Sequence, residues 1–181
     1  IYDKSTGYIV ETLNNVTDLR DAKAVAGPGE RIRVLPGEYT TRNLLKDQVD
    51  WHFEDGAVVD NEGLSNGAFF ENVGAHGSPG GQVVSNVTGE GVFEWSGPGG
   101  QSGDSFINMG SNENSDITID VKSYTVPEGS TAPLALFSNG ELDVNVSIFK
   151  SGDSSGSFGN VALNVGELSG DNSDSKANVS I

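Results

Sequence analysis

The chain contains no cysteine, so its fold is stabilised without disulfide bonds. It also has no apolar run near the roughly 18 residues that a membrane-spanning helix requires. Basic residues are scarce: 10 Lys and Arg stand against 26 Asp and Glu, which gives the 181 residues a net charge of −16. Such a surface repels the phosphates of nucleic acid and anionic lipid, so we predict that neither nucleic acid nor a membrane is a partner.

The few basic residues are concentrated near the N-terminus. Residues 1–46 contain seven Lys and Arg against six Asp and Glu, whereas residues 47–181 contain three against twenty. An acidic body of this kind is typical of an extracellular surface, and it repels uronate polymers. We therefore expect an extracellular location and a substrate or partner other than polyuronate.

Turn-forming residues are abundant, including 25 Gly, and the stretch 27–61 shows how they are used. A short apolar strand at 32–35 lies between two Gly-Pro clusters, which break regular structure on both sides. In the next strand, apolar and polar residues alternate, so the two sets face opposite sides. The apolar set is Val49, Trp51 and Phe53, and the polar set is Asp50, His52 and Glu54.

One helix is predicted, over residues 17–26. Thr17 is a favourable N-cap, Leu19 and Ala22 begin an apolar stripe, and Gly27 provides a C-terminal stop. Residues 8–10 are predicted to form a short strand. We expect residues 1–26 to be a lead-in segment whose helix caps a β-domain that extends over 27–181.

Beyond residue 66 the chain repeats itself loosely. Four segments begin with an apolar run that ends in a Gly-containing turn: 68–74, 105–110, 134–140 and 161–166. Each is followed by a Val- and Ile-rich strand that alternates with polar residues, most clearly at 117–121, 142–148 and 177–181. Units of roughly 25–35 residues fit one coil of a β-solenoid, although the same alternation allows an antiparallel β-sandwich.

Two motifs favour the solenoid. Residues 29–39 read GERIRVLPGEY, and residues 53–58 read FEDGAV. Together they resemble the opening of right-handed parallel β-helix proteins of the pectate-lyase-like kind. The resemblance implies an all-β fold, namely a right-handed parallel β-helix (solenoid) with a short N-terminal capping helix. The family includes polysaccharide lyases, hydrolases, bacteriophage tailspikes and non-catalytic adhesins, and its viral modules are usually homotrimers.

A lyase of this family would be expected to use Arg or Lys beside acidic metal ligands on a central coil. After residue 46 the basic side chains are Lys122, Lys150 and Lys176, together with His52 and His76. None of them lies in a recognisable lyase motif. The departure from the family pattern argues against lyase activity.

The candidate catalytic residues are Asp50, His52 and Glu54, which would project from one face of one strand. Two carboxylates beside an imidazole can act as acid and base in glycoside cleavage. The alternative is that these residues are polar only because that face is wet.

Candidate carbohydrate-binding residues lie further along the chain. Trp95 offers a ring on which a sugar can stack, or else it packs in the core. Asp116, Asp120 and Asp143 stand on polar faces of successive strands, where they can bind sugar hydroxyls or simply be solvated. Asp171 and Asp174 supply oxygen ligands at a spacing that can hold Ca²⁺, although the motif of an EF-hand is absent.

The resemblance implies a structural and receptor-binding module of a bacteriophage tail spike or tail fibre, and the acidic body and the lack of a catalytic motif favour binding over catalysis. Such a module is expected on the virion surface, as a homotrimer that contacts host glycans and requires no cofactor. A secreted glycoside hydrolase and a non-catalytic bacterial surface adhesin are the alternatives.

Overall fold

The computed structural model describes residues 1–61, 68–71, 83–95, 105–109, 116–125, 135–137, 141–150, 163–165 and 176–180. These residues form one helix, α1 (Leu19–Val25), and fourteen strands. The strands are β1 (Tyr2–Asp3), β2 (Glu30–Val34), β3 (Gly37–Thr40), β4 (Asp50–Phe53), β5 (Ala57–Asp60), β6 (Ala68–Glu71), β7 (Val84–Gly89), β8 (Val92–Glu94), β9 (Ser105–Met109), β10 (Asp116–Thr125), β11 (Ala135–Phe137), β12 (Glu141–Lys150), β13 (Leu163–Val165) and β14 (Lys176–Ser180).

The strands are arranged in two sheets. The larger has ten strands, with the path β1-β2-β4-β7-β10-β8-β5-β3 and with β12 and β14 continuing outward from β10. The smaller has four strands in the order β13-β11-β9-β6. The named strand pairs are parallel except β1 with β2, which is antiparallel.

The predicted right-handed parallel β-helix is wrong for this chain. The larger sheet is mixed, because β1 runs antiparallel to its neighbour, and the described residues form no assigned solenoid. The coarser expectation, a mostly β fold with a short helix near the N-terminus, is confirmed for the residues that the structure describes. An antiparallel sandwich, the alternative, does not match the predominantly parallel pairing either.

Strand β10 connects strands that the sequence pattern assigns to separate parts of the fold. Its residues 116–120 pair with β7, and its residues 123–125 pair with β8, so one strand joins two ladders into a single sheet. The run DITIDVKSYT contains neither Gly nor Pro and therefore continues for ten residues. The alternation in the sequence predicts that this strand ends at 121, four residues earlier than it does.

The loose repeat of the sequence corresponds to real strand pairing. The four apolar segments contain β6, β9, β11 and β13, which together make up the smaller sheet. The Val- and Ile-rich segments that follow the last three contain β10, β12 and β14, which are neighbours in the larger sheet. Segments of similar sequence thus occupy equivalent places in parallel ladders.

Aromatic side chains from strands of both sheets form the buried core. Phe93 is fully buried, and its ring lies 5.1 Å from Phe53, 5.3 Å from Phe69 and 5.6 Å from Phe106, measured between centroids. All three contacts are edge-to-face, the arrangement that the ring quadrupole favours. Period-two alternation supplies the part of this core that comes from the larger sheet, whereas in β6 the adjacent Phe69 and Phe70 are both buried.

Helix α1 is shorter than predicted and begins later. Asp18, not Thr17, is the N-cap: its Oδ1 accepts a hydrogen bond of 2.9 Å from the backbone N–H of Arg20. The Thr17 carbonyl instead accepts from the N–H of Thr40 at 2.8 Å, which ties this segment to β3. Leu19 and Ala22 are buried in the core, as the apolar stripe predicted.

The predicted strand at 8–10 is reduced to an isolated bridge between Tyr2 and Ile9. Tyr8, Ile9 and Val10 are largely exposed. Because these side chains do not alternate between core and solvent, the segment lacks the packing that would extend the bridge into a strand.

Replacing Phe93 by alanine is expected to lower the free energy of unfolding by about 3–5 kcal/mol, because it opens a cavity among packed rings. Urea denaturation followed by circular dichroism measures the change. Val84→Ala is the control: Val84 is 38% exposed, so its truncation should cost less than about 1 kcal/mol. Equal losses in the two variants would contradict an aromatic core centred on Phe93.

Candidate functional site

The candidate site is the outward side of the ladder formed by β2, β4, β7 and β10, which we call the polar face. Inward positions on these strands hold buried apolar residues such as Ile32, Trp51, Val87 and Ile119. The residues between them are polar and form the face: Arg31, Arg33, Asp50, His52, Asn86, Thr88, Asp116, Thr118 and Asp120.

Parallel register aligns these residues in rows. In one row Arg33 pairs with His52, His52 with Thr88, and Thr88 with Asp120. In the next row Arg31 pairs with Asp50, and Asn86 pairs with Thr118. Neighbours in a row are separated by the strand spacing of about 4.8 Å. The face is therefore a regular array of hydrogen-bonding groups.

Asp50 is the buried member of the polar face, with 5% of its surface exposed. Its Oδ2 lies 3.2 Å from Nζ of Lys4 and 3.8 Å from a guanidinium nitrogen of Arg31. Its Oδ1 accepts a hydrogen bond of 3.1 Å from the backbone N–H of Asn86. This carboxylate therefore links residues 1–10, which we call the N-terminal segment, to β2, β4 and β7.

His52 and Glu54 belong to a second polar cluster. Nδ1 of His52 lies 3.1 Å from Oγ1 of Thr88, and its Nε2 lies 3.7 Å from Oε1 of Glu54. Nε of Arg33 donates to the same Glu54 oxygen at 2.5 Å, and this bond raises the pKa of Arg33. Glu54 thus has a cation on one side and an imidazole on the other.

The three predicted catalytic residues are near one another, but their carboxylates are occupied by cations. Lys4 and Arg31 contact Asp50, and Arg33 contacts Glu54. A general acid or base in glycoside cleavage must be free to contact the glycosidic oxygen or the attacking water, whereas these carboxylates are engaged by cations. The geometry therefore suits a structural ion-pair network better than acid–base catalysis.

The predicted carbohydrate-binding residues occupy different environments. Trp95 is only 4% exposed and meets Phe69 edge-to-face at 5.9 Å, so its ring lies in the core and offers no face to a sugar. Asp116 and Asp120 are exposed on the polar face. The backbone of Asp143 pairs with Thr118, which places Asp143 in the second row, on β12.

The predicted calcium ligands Asp171 and Asp174 lie outside the described residues. Within the part of the chain that the structure describes, no group of three or more His, Cys, Asp or Glu is placed to hold a metal ion. No helix in this part is long and apolar enough to span a membrane.

Sequence reasoning missed the cations of this site. Arg31 and Arg33 alternate with Ile32 and Val34 in the way that the residues of β4 alternate, so parallel stacking of β2 on β4 would have placed them beside Asp50 and His52. Lys4 carries no such signal. It reaches Asp50 only because the N-terminal segment folds back along β2.

Comparison of the chain with family models, with curated proteins and with solved structures gave no match. Membership of the pectate-lyase-like family therefore stays a prediction from the sequence motifs.

Asp50→Asn is expected to destabilise the fold by about 1–2 kcal/mol, because it removes the charge that Lys4 and Arg31 share. The loss is smaller than for a fully buried pair, since both cations are partly exposed. Thermal unfolding at low salt measures it.

Asp55→Asn is the matched control. Its carboxylate is 77% exposed and pairs with Lys122 at 2.9 Å, so its loss should leave the stability of the fold nearly unchanged. An Asp50→Asn protein as stable as this control would show that the ion pairs at Asp50 are not structural.

Proposed function

We propose that this chain is a structural and receptor-binding module of a bacteriophage tail spike or tail fibre, and that its polar face contacts glycans on the host surface. One observation carries the proposal: the aligned rows of Arg, Asp, His, Asn and Thr on adjacent parallel strands. Carboxylates, amides and hydroxyls at this regular spacing suit the many hydroxyl groups of a polysaccharide.

The size of the polar face also fits an extended glycan. From β2 to β10 the ladder contains β4 and β7 in between, so the face spans roughly 14 Å across the strands. That width accommodates an oligosaccharide of several units. The strands are backed by the aromatic core, which keeps the binding groups in place before the ligand arrives.

Binding is a better match than hydrolysis for the carboxylates of β4. A secreted glycoside hydrolase would need Asp50 or Glu54 to be available to the substrate, whereas both are held by cations. A bacterial surface adhesin would use the same face in the same way and differs in origin. In our proposal the module is extracellular, on the virion surface, and assembles as a homotrimer.

An array of bacterial capsular and O-antigen polysaccharides tests the proposal. We expect the chain to bind a subset of them without releasing new reducing ends. The double variant Thr88→Ala, Asp120→Ala removes two neighbours in one row and should weaken that binding about tenfold or more.

Glu38→Ala is the control for this experiment, because Glu38 is an exposed acidic residue on β3, away from the polar face. Its affinity should equal that of the unmodified chain. Equal affinity in the double variant would exclude the polar face as the contact surface. Release of reducing ends would instead favour the hydrolase.

A further inference from the structure

A cleft opens beside the polar face, where the N-terminal segment lies against the sheet. It has a volume of about 270 Å³, and we call it the N-terminal cleft. Its lining residues are Tyr2, Asp3, Lys4, Gly7, Arg31, Arg33 and His52. Three cations and an imidazole thus line one concavity in a chain whose net charge is −16.

The guanidinium groups of the N-terminal cleft retain donors for a ligand. Each guanidinium has five N–H donors. Arg33 donates its Nε–H to Glu54 and a further N–H to Tyr2, and the nearest approach of Arg31 to Asp50 is 3.8 Å, beyond hydrogen-bond distance. The side chains of Arg31 and Arg33 are 50% and 45% exposed, so their remaining N–H groups are accessible.

The carboxylates near the N-terminal cleft are already paired, two of them with cations of the cleft itself. Oδ1 of Asp3 accepts hydrogen bonds from the N–H and hydroxyl groups of Ser5 and Thr6, which hold the pKa of Asp3 at about 2. Asp50 and Glu54 are held by the ion pairs described above. Three carboxylates therefore balance the three cations, and this region lacks the negative excess of the body.

We propose that the N-terminal cleft binds an acidic substituent of the glycan, a carboxylate or a sulfate group. The anionic oxygens accept charge-assisted hydrogen bonds from Arg31 and Arg33, and from the one N–H of Lys4 that Asp50 and the Gln48 carbonyl leave. Two parallel N–H groups of one guanidinium match the geometry of either anion. This inference rests on the proposed function and narrows it, because it names the chemical class of the ligand.

The polar face and the N-terminal cleft are continuous. Arg33 and His52 line the cleft and also begin the row that continues through Thr88 to Asp120. A glycan along this row reaches the cleft at its β2 end. The acidic body repels a chain charged on every sugar, so the fitting ligand has sparse acidic groups on an otherwise neutral backbone.

Calorimetric titration of the full 181-residue chain with three tetrasaccharides tests the proposal. The first contains a single glucuronate, the second is the same molecule with its carboxylate reduced to an alcohol, and the third carries one sulfate in place of the carboxylate. We expect the carboxylated or the sulfated form to bind at least roughly tenfold more tightly than the reduced form. Which of the two does so identifies the anion.

Arg31→Gln should reduce this preference for the charged form to within about twofold, because it removes a donor that serves the ligand directly. Lys4→Gln is a second variant in the same cleft, for the case that the first does not fold. Lys122→Gln is the control: its side chain is 39% exposed and pairs with Asp55, outside the cleft, so the preference should persist.

Equal affinity for the charged and reduced forms, or no binding of any of the three, would overturn the proposal that the N-terminal cleft binds an acidic group. A preference that survives in both cleft variants would do the same. If the chain still binds neutral polysaccharides on the array, and that binding requires Thr88 and Asp120, the proposed function stands while this inference fails.

Discussion

The structure depends on a single constraint, the in-register parallel stacking of strands whose residues alternate between apolar and polar. Stacking puts Ile32 beside Trp51 and Trp51 beside Val87, and the same register puts Arg33 beside His52 and His52 beside Thr88. The first set builds a core that excludes water. The second set builds an ordered surface, so the buried face and the candidate site result from one pairing.

Ion pairs on the polar face join parts of the chain that are distant in sequence. Lys4, which follows β1, contacts Asp50 on β4, and Arg33 on β2 contacts Glu54, which follows β4. A carboxylate that serves as a cross-link is not free to contact a substrate. The same cations line the N-terminal cleft, where their unused donors provide a place for an anionic group.

Local pattern was sufficient to predict part of this structure. The alternation in β4 correctly separated Trp51 and Phe53 from Asp50 and His52, and the repeat correctly grouped the strands of the smaller sheet. Fold class was not predictable in this way, because the length of β10 lets it pair with both β7 and β8. The contact between Lys4 and Asp50 also lay beyond reach, since it depends on how the N-terminal segment folds back.

The polar face as the glycan contact surface is tested most directly by NMR titration of the isotope-labelled chain with a fragment of a polysaccharide that it binds. The largest shift changes should fall on backbone amides of β4, β7 and β10, with little change in β6 and β9. Shift changes centred on β6 and β9, with β4, β7 and β10 unaffected, would contradict the assignment of the polar face as the contact surface.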